Sequence, residues 1–335
     1  MTDNGKINRR SFIKTSSIVG GAFFMKSILP GQAMEMLPKI DNAENDKLTG
    51  DAILKGVCDI HLHCSPDSRE RCIDEYHFMQ DAVHAGYRAV MFKSNDFSCH
   101  DRAYIIRQAL SGAECYGSFC MNRVHGDRVN PFAARKAVET SGDLCRCIWL
   151  PTLDASYQYK YEGRKERGIP VLDDNGKVLP EVVKVMEICA EANIILATGH
   201  SSPDESITLI RKANEIGLKR IVVTHANSFI WRMTTDQIKE CMELGAFIEY
   251  CYLPCLWGRG SKMPQYKRQS IDDFLSFVKI DPTRSFISTD LGLAVMPHPV
   301  QGMKDCILKL QDGGISQGDI DLLVRKNPSW LLGID

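Results

Sequence analysis

Two histidines one residue apart, His61 and His63, stand in the stretch VCDIHLHCSP, whose other members are those of a buried strand. On a strand successive side chains alternate between faces. Asp59, His61 and His63 therefore share one face, and Cys58, Ile60 and Leu62 make the other, apolar one. Two imidazoles on one face of such a segment form the start of a metal site, since neutral imidazole offers a lone pair to zinc first, or to manganese, iron or nickel. Nine histidines occur in the chain, and two more of them close apolar runs: His200 ends NIILATGH and His225 falls at the end of RIVVTHA. Asp290 closes SFISTD and Lys93 falls at the end of RAVMFKS. Glu249 lies inside AFIEYCYL, where a carboxylate without a partner would be costly. His77, His84 and His100 fall in helix or loop contexts and are expected to be surface or capping residues.

Imidazole and carboxylate donors that leave one coordination position open let an ion activate water. Hydrolysis is the chemistry this set suits, with His61, His63, His200, His225, Asp290 and Glu249 as candidate ligands. Asp290 has a second role available: beside the ion, a carboxylate accepts a proton from water and later delivers it to the leaving group. Lys93 is the other candidate catalytic residue. A cationic Lys93 would bind a substrate carboxylate, or it would pair with Asp290 or Glu249. Glu249 would be a ligand, the partner of Lys93, or a residue that orients a ligand.

What positions these residues is a regular alternation. After a polar linker over about 34–50, eight strand-like runs (GVCDIHLH, RAVMFKS, AECYGSFCM, RCIWLPT, NIILATGH, RIVVTHA, AFIEYCYL and SFISTD) alternate with helix-period stretches at 73–85, 100–110, 131–140, 181–192, 204–216, 235–244, 270–279 and 303–325. Eight β–α units predict an α/β fold, a single-domain (β/α)8 TIM-type barrel over 51–335, whose chemistry is carried where strands end and βα loops begin. The candidate residues sit at those ends. The connection 153–180 is longer than the ~2–6 residues usual for a βα loop, and it is expected to lid or border the site.

In order along the chain, DIHLHCSPD, RAVMFKS, LPT, ILATGHSSPDES, IVVTHANS, GAFIEYCY, STDLG and NPSWLLGI resemble the amidohydrolase superfamily of metal-dependent hydrolases, and within it an amidohydrolase-like family of unknown function. The resemblance covers about residues 53–334. It implies a barrel holding one or two divalent ions that cleaves an amide, lactone or ester bond of a small molecule. Many binuclear members place a carboxylated lysine on strand four, whereas this strand runs into WLPTLDA and offers Thr152 or Asp154. Lys93, if carboxylated, would replace that bridge. Members without the strand-four lysine often use one ion for C–C chemistry, so a decarboxylase or hydro-lyase is the alternative reaction. A catalytically idle, metal-bearing binding protein is the alternative outside enzymes. Arg123, His125, Arg259 and Lys262 fall in loops expected after strands three and seven, which suits an anionic substrate.

The N-terminus differs in kind. Arg9 and Arg10 precede Phe12, Lys14 and a weakly apolar run broken by Gly20, Gly21 and Lys26, a pattern that resembles a twin-arginine signal over 1–33. The run falls short of the ~18 apolar residues of a spanning helix, so no stable membrane anchor is expected. The expected partner there is the twin-arginine translocase, and the destination is periplasmic or extracellular. The formal net charge is −1; the first 33 residues hold five Lys/Arg and one Asp, net +4, which leaves −5 on the remainder. No basic face for nucleic acid is implied. Thirteen cysteines, an odd number without a C-x-x-C pair, read mostly as core thiols. A homo-oligomer remains compatible with all of this.

Overall fold

A computed structural model of the protein describes residues 52–334; the expected twin-arginine signal and linker lie outside the described residues. Eight parallel strands follow one another in chain order in a single sheet: β1 Cys58–Leu62, β2 Ala89–Phe92, β3 Glu114–Cys120, β4 Cys145–Trp149, β5 Ile195–Ala197, β6 Ile221–Val223, β7 Phe247–Cys251 and β8 Ser285–Ser288. Seven lie within the runs expected to form them, and β4 begins one residue before its run, at Cys145. Nearly every strand residue is buried, as strands packed on both faces require. This is a (β/α)8 barrel, nearly closed. The seam between β8 and β1 is tied just past the strand ends, where the Asp290 N–H donates to the His61 carbonyl at 2.8 Å and the His63 N–H to the Leu291 carbonyl at 2.8 Å. Below them the buried Asp59 carboxylate accepts from the Thr289 N–H (3.2 Å) and hydroxyl (2.6 Å).

The surrounding helices are α1 Glu75–His84, α2 His100–Ala109, α3 Pro131–Glu139, α4 Ser156–Tyr161, α5 Pro180–Ala192, α6 Pro203–Ile216, α7 Thr235–Glu243, α8 Ile271–Val278, α9 Pro299–Asp312, α10 Gln317–Asp321 and α11 Asn327–Leu332. Their starts are written locally. Capping boxes, Ser202 with Glu205 and Thr234 with Gln237, satisfy the first N–H groups of α6 and α7. The helix expected over 303–325 is instead broken: Gly313-Gly314 ends α9, with Gly314 at φ +76, and the Ser316 cap starts α10. A π-helical turn over Leu322–Lys326 then joins α10 to α11. The long connection after β4 contains α4, a helix absent from the sequence reading. Among the described residues no helix is long and apolar enough to cross a membrane. All thirteen cysteines are free, and only Cys72 is exposed.

Candidate metal centre

The C-terminal mouth of the barrel gathers most of the predicted residues. His61 and His63 point the same way from the end of β1, as strand alternation requires. Both approach one oxygen of Asp290: His61 Nε2 is 3.1 Å and His63 Nε2 3.2 Å from Asp290 Oδ1. Donors around a tetrahedral ion with bonds of ~2.0–2.1 Å stand ~3.3–3.4 Å apart. Each nitrogen thus stands from the carboxylate oxygen at nearly the separation of two ligands of one ion, and the three atoms lie within 4.8 Å of one another.

Asp290 and His225 reach the axis by an unusual backbone. Both are left-handed, at φ +52 and +58, a conformation that costs a residue with a side chain ~1–2 kcal/mol. Such strain persists only where its surroundings enforce it. Gly292 supplies part of that enforcement: at φ +126 its Cα approaches β1 so closely that a Cβ would stand 1.7 Å from the His63 carbonyl oxygen. Gly199 does the same between β5 and β4, where a Cβ would stand 2.3 Å from the Leu150 carbonyl. The turn after it delivers His200.

A second layer of groups fixes the first. Glu249, wholly buried at the centre of β7, has its Oε1 2.8 Å from His61 Nδ1 and accepts the Ser288 hydroxyl at 2.6 Å. That bond fixes the tautomer that leaves His61 Nε2 free for an ion. Through Oε1 Glu249 is placed to orient a liganding His61, while its buried Oε2 has no hydrogen-bond partner. His61, His225, Glu249 and Cys251 form a second group whose donor atoms lie within 4.8 Å of one another, and His61 belongs to both groups. Cys251 Sγ is 3.1 Å from His225 Nδ1. Cys251, one of the cysteines read mostly as core thiols, is indeed a buried free thiol, but it lies within this second group of donor atoms. Its position two after Glu249 on one strand, hence on the same face, was the available signal. His200 joins neither group; its ring stands 4.2 Å from Trp231 and 5.3 Å from His225, with a buried Nδ1 that has no partner.

The protonation states suit metal binding. Burial pushes His63 and His200 well below the ordinary imidazole range and His225 to about 4, leaving lone pairs available. Burial would lift Asp290, but the neighbouring His61 and His63 hold its carboxyl well below the usual range. For His61 burial is outweighed by the Glu249 and Asp290 carboxylates, and the ring rises to about 8. His63, His200 and His225 as neutral imidazoles around an ionised Asp290, with unpartnered buried donor atoms beside them, fit a divalent ion, and His61 would give up its proton to join them.

Other expectations are corrected. Lys93 pairs with neither Asp290 nor Glu249: its Nζ is 3.2 Å from Asn95 Oδ1 and 5.0 Å from the centre of the Trp149 ring. Strand four brings Trp149, not a ligand, against His61 at 4.7 Å. The Thr152 hydroxyl is spent on Asn95 Oδ1 (2.8 Å), and Asp154 accepts from the Arg123 N–H and the Tyr159 hydroxyl. Arg123 pairs with Asp127 at 2.8 Å, and none of Arg123, Arg259 and Lys262 lines the cavity at the mouth. The mouth's arginines come from the β1–α1 loop, as Arg69 and Arg71, and Lys93 joins them from the end of β2. His100, expected at the surface, is buried under β3, where its backbone leaves no room for a side chain at Gly117.

Above the donors opens a cavity of about 280 Å³ lined by His63, Lys93, His200, His225, Trp231 and Asp290 among others. Leu153, Gln158 and Glu162 of the connection 153–180 border it, as expected. A hollow of about 760 Å³ around Arg88, Arg107 and Glu114 lies where strands begin, the end of such barrels that serves stability.

A (β/α)8 barrel with imidazoles and a carboxylate converging at its C-terminal mouth defines the class. The chain belongs to a family of unknown function, DUF6282, whose model matches residues 56–249. That span holds His61, His63, Lys93, His200, His225 and Glu249, and stops short of Asp290. No curated protein matches. Among solved structures the chain is similar to a mutant organophosphorus hydrolase (TM-score 0.56, 15% identity, 84% of this chain and 93% of that one). It is also similar to the phosphotriesterase homology protein from Escherichia coli, solved with phosphate in its active site (TM-score 0.54, 18% identity, 83% and 99%). A third similar structure is an amidohydrolase from Pseudomonas aeruginosa (TM-score 0.56, 10% identity, 86% and 98%). At these identities the likeness is one of fold.

Proposed function

We propose that the protein is a metal-dependent hydrolase that cleaves an amide, lactone or ester bond of a small molecule. The observation that carries this reading is the convergence of His61 Nε2 and His63 Nε2 on Asp290 Oδ1 at the floor of an open cavity. His61, His63 and Asp290 would hold the ion, with His225 beside them. When bound, the ion supplies a Lewis acid that makes water a nucleophile at neutral pH and polarises a carbonyl. Asp290 retains Oδ2, 3.9 Å from His225 Nδ1, as the atom that takes the proton of the attacking water. The water oxygen bonds to the acyl carbon, the C–N or C–O bond breaks, and the proton passes from Oδ2 to the departing nitrogen or oxygen. Glu249 keeps His61 aimed throughout.

Metal analysis of the purified protein, followed by a panel of lactones, esters and amides, tests the reading. Wild type is expected to retain a divalent ion, zinc first, and the His61→Ala, His63→Ala double variant to lose it and melt at lower temperature. A wild type that holds no ion after growth with metal supplements refutes it. The absence of a ligand from strand four favours one second reading, a single-ion decarboxylase or hydro-lyase; release of carbon dioxide without consumption of water would select it. Export as a folded protein is part of the proposal and rests on Arg9-Arg10. Arg9→Lys with Arg10→Lys should stop delivery of a reporter fused after residue 40, and Sec export would be indifferent to lysine.

A further inference from the structure

The charges around the cavity are matched in pairs, with one exception. Arg71 lies 2.9 Å from Asp67, Arg69 3.4 Å from Asp96, Glu162 2.5 Å from Arg164, and Asp290 lies against His61 and His63. Lys93 has no carboxylate at ion-pair distance among the described residues, although it is only 2% exposed. Its ammonium has three donors, and one finds Asn95 Oδ1. That acceptor is itself fixed by the Thr152 hydroxyl, while the Asn122 amide anchors the Asn95 carbonyl. The Trp149 ring underlies the charge at 5.0 Å. A buried cation left without an anion is expensive, and a site that keeps one rigidly placed in a cavity wall is built to have the anion delivered. A single point charge suits one carboxylate, and the two arginines at the mouth each already pair with an aspartate, although Arg71 Nε is left without a partner.

Part of the cavity lining is apolar and aromatic. Ile230, Trp231, Leu253 and Trp257 belong to a hydrophobic cluster separate from the barrel core. Trp257 lies against Tyr266 at 4.8 Å. The buried indole N–H groups of Trp231 and Trp257 have no acceptor. The volume, about 280 Å³, is at the small end of ligand pockets, which begin at ~300 Å³.

Resting on the hydrolase reading, we infer that the substrate is a small ring compound bearing one carboxylate, the carboxylate held by Lys93 and the ring lying against Trp231 and Trp257. The cleaved bond is a separate group of the same molecule, over the ion-binding cluster.

Calorimetric titration of benzoate, benzamide and acetate into the full-length protein, with metal content measured in parallel, tests the inference. Benzoate is expected to bind at least tenfold more tightly than benzamide, which lacks the charge, and than acetate, which lacks the ring. Lys93→Met should erase the preference for benzoate over benzamide at unchanged metal content, and Lys93→Arg should restore part of it. Trp257→Leu should shrink the preference over acetate and spare the charge preference. A wild type without these preferences overturns the inference. So does a Lys93→Met protein that keeps the charge preference, because the carboxylate then sits on the ion. Loss of one metal equivalent in Lys93→Met also overturns it, by making the lysine part of the metal centre. Should Lys93→Met fail to fold, Lys93→Gln carries the same comparison. A wild type holding no ion refutes the hydrolase reading alone, and the same preferences measured in that protein still decide the inference.

Discussion

Glu249→Gln separates an orienting carboxylate from a ligating one. Glu249 is wholly buried, with its Oε1 2.8 Å from His61 Nδ1 and 2.6 Å from the Ser288 hydroxyl. Glutamine keeps the shape and one acceptor oxygen and loses the charge. A hydrogen bond to a charged group contributes ~1.5–3 kcal/mol and a neutral one ~0.5–1.5, so the change removes ~1–1.5 kcal/mol from the hold on His61. At ~1.4 kcal/mol per decade that is about tenfold in metal affinity. A further cost arises at Oε2, which has no partner. The amide NH2 placed there is a buried donor without an acceptor, which costs another ~1–3 kcal/mol, shared between folding and binding. Metal affinity is therefore expected to fall ~10–100-fold, the range seen for partners of ligating histidines. Competition against a chromophoric chelator measures it, with circular dichroism reporting the fold. Unchanged affinity would refute the orienting role, whereas complete loss of the ion from a folded protein would make Glu249 a ligand.

Gly292→Ala should destabilise by more than ~1 kcal/mol and loosen the ion, because both the φ of +126 and the 1.7 Å approach to the His63 carbonyl involve backbone that cannot give way; thermal melting with and without added metal reads both effects. Asp290→Asn keeps one acceptor oxygen and loses basicity, so most of the metal should stay while kcat drops ~10²–10⁴-fold on whichever substrate the panel yields. Near-normal kcat would assign the proton acceptor elsewhere. Asp273 predicts a pH dependence: hydrogen bonds from Arg232 foremost, then from Gln269, hold its carboxyl below the ordinary 3.8. A depressed folded-state value means that its stabilising contribution is present above 3.8 and is lost as pH falls through the folded value. Denaturant melts should show Asp273→Asn less stable than wild type at pH 7, with the gap narrowing below pH 3.8.

Where the sequence and the structure agree, a local rule was sufficient. Strand alternation places His61 and His63 on one face whatever the rest of the chain does, and the order of β and α runs leaves a parallel barrel as the economical closure. Asp290 could be placed beside β1 because the last strand of a barrel neighbours the first; two main-chain bonds at the seam realise that adjacency. What stayed illegible depends on contacts between distant segments. Nothing in RIVVTHA or SFISTD announces that His225 and Asp290 adopt φ near +55, since neither residue is the glycine that such a turn favours. The strain is imposed by neighbours such as β1, and only the assembled mouth supplies them. The pocket cations were sought after strands three and seven because Arg123, Arg259 and Lys262 cluster there in sequence, yet Arg69 and Arg71 reach the mouth when the β1–α1 loop folds over it, with Arg71 bridged to Leu293. Trp149 is the most instructive case. In the sequence it reads as one more apolar residue of strand four, but its ring stands against both His61 and Lys93, 4.7 Å from the imidazole and 5.0 Å from the ammonium. It fills the side of the centre where strand four would contribute a ligand and gives Lys93 a π face in place of a counter-ion. The same tryptophan thus bears on both the metal centre and Lys93, and the metal stoichiometry and the carboxylate preference should stand or fall with that one side chain. Trp149→Leu should weaken benzoate binding and leave the ion count unchanged; a second metal equivalent appearing in that variant would show that the tryptophan excludes an ion, not that it steadies a charge.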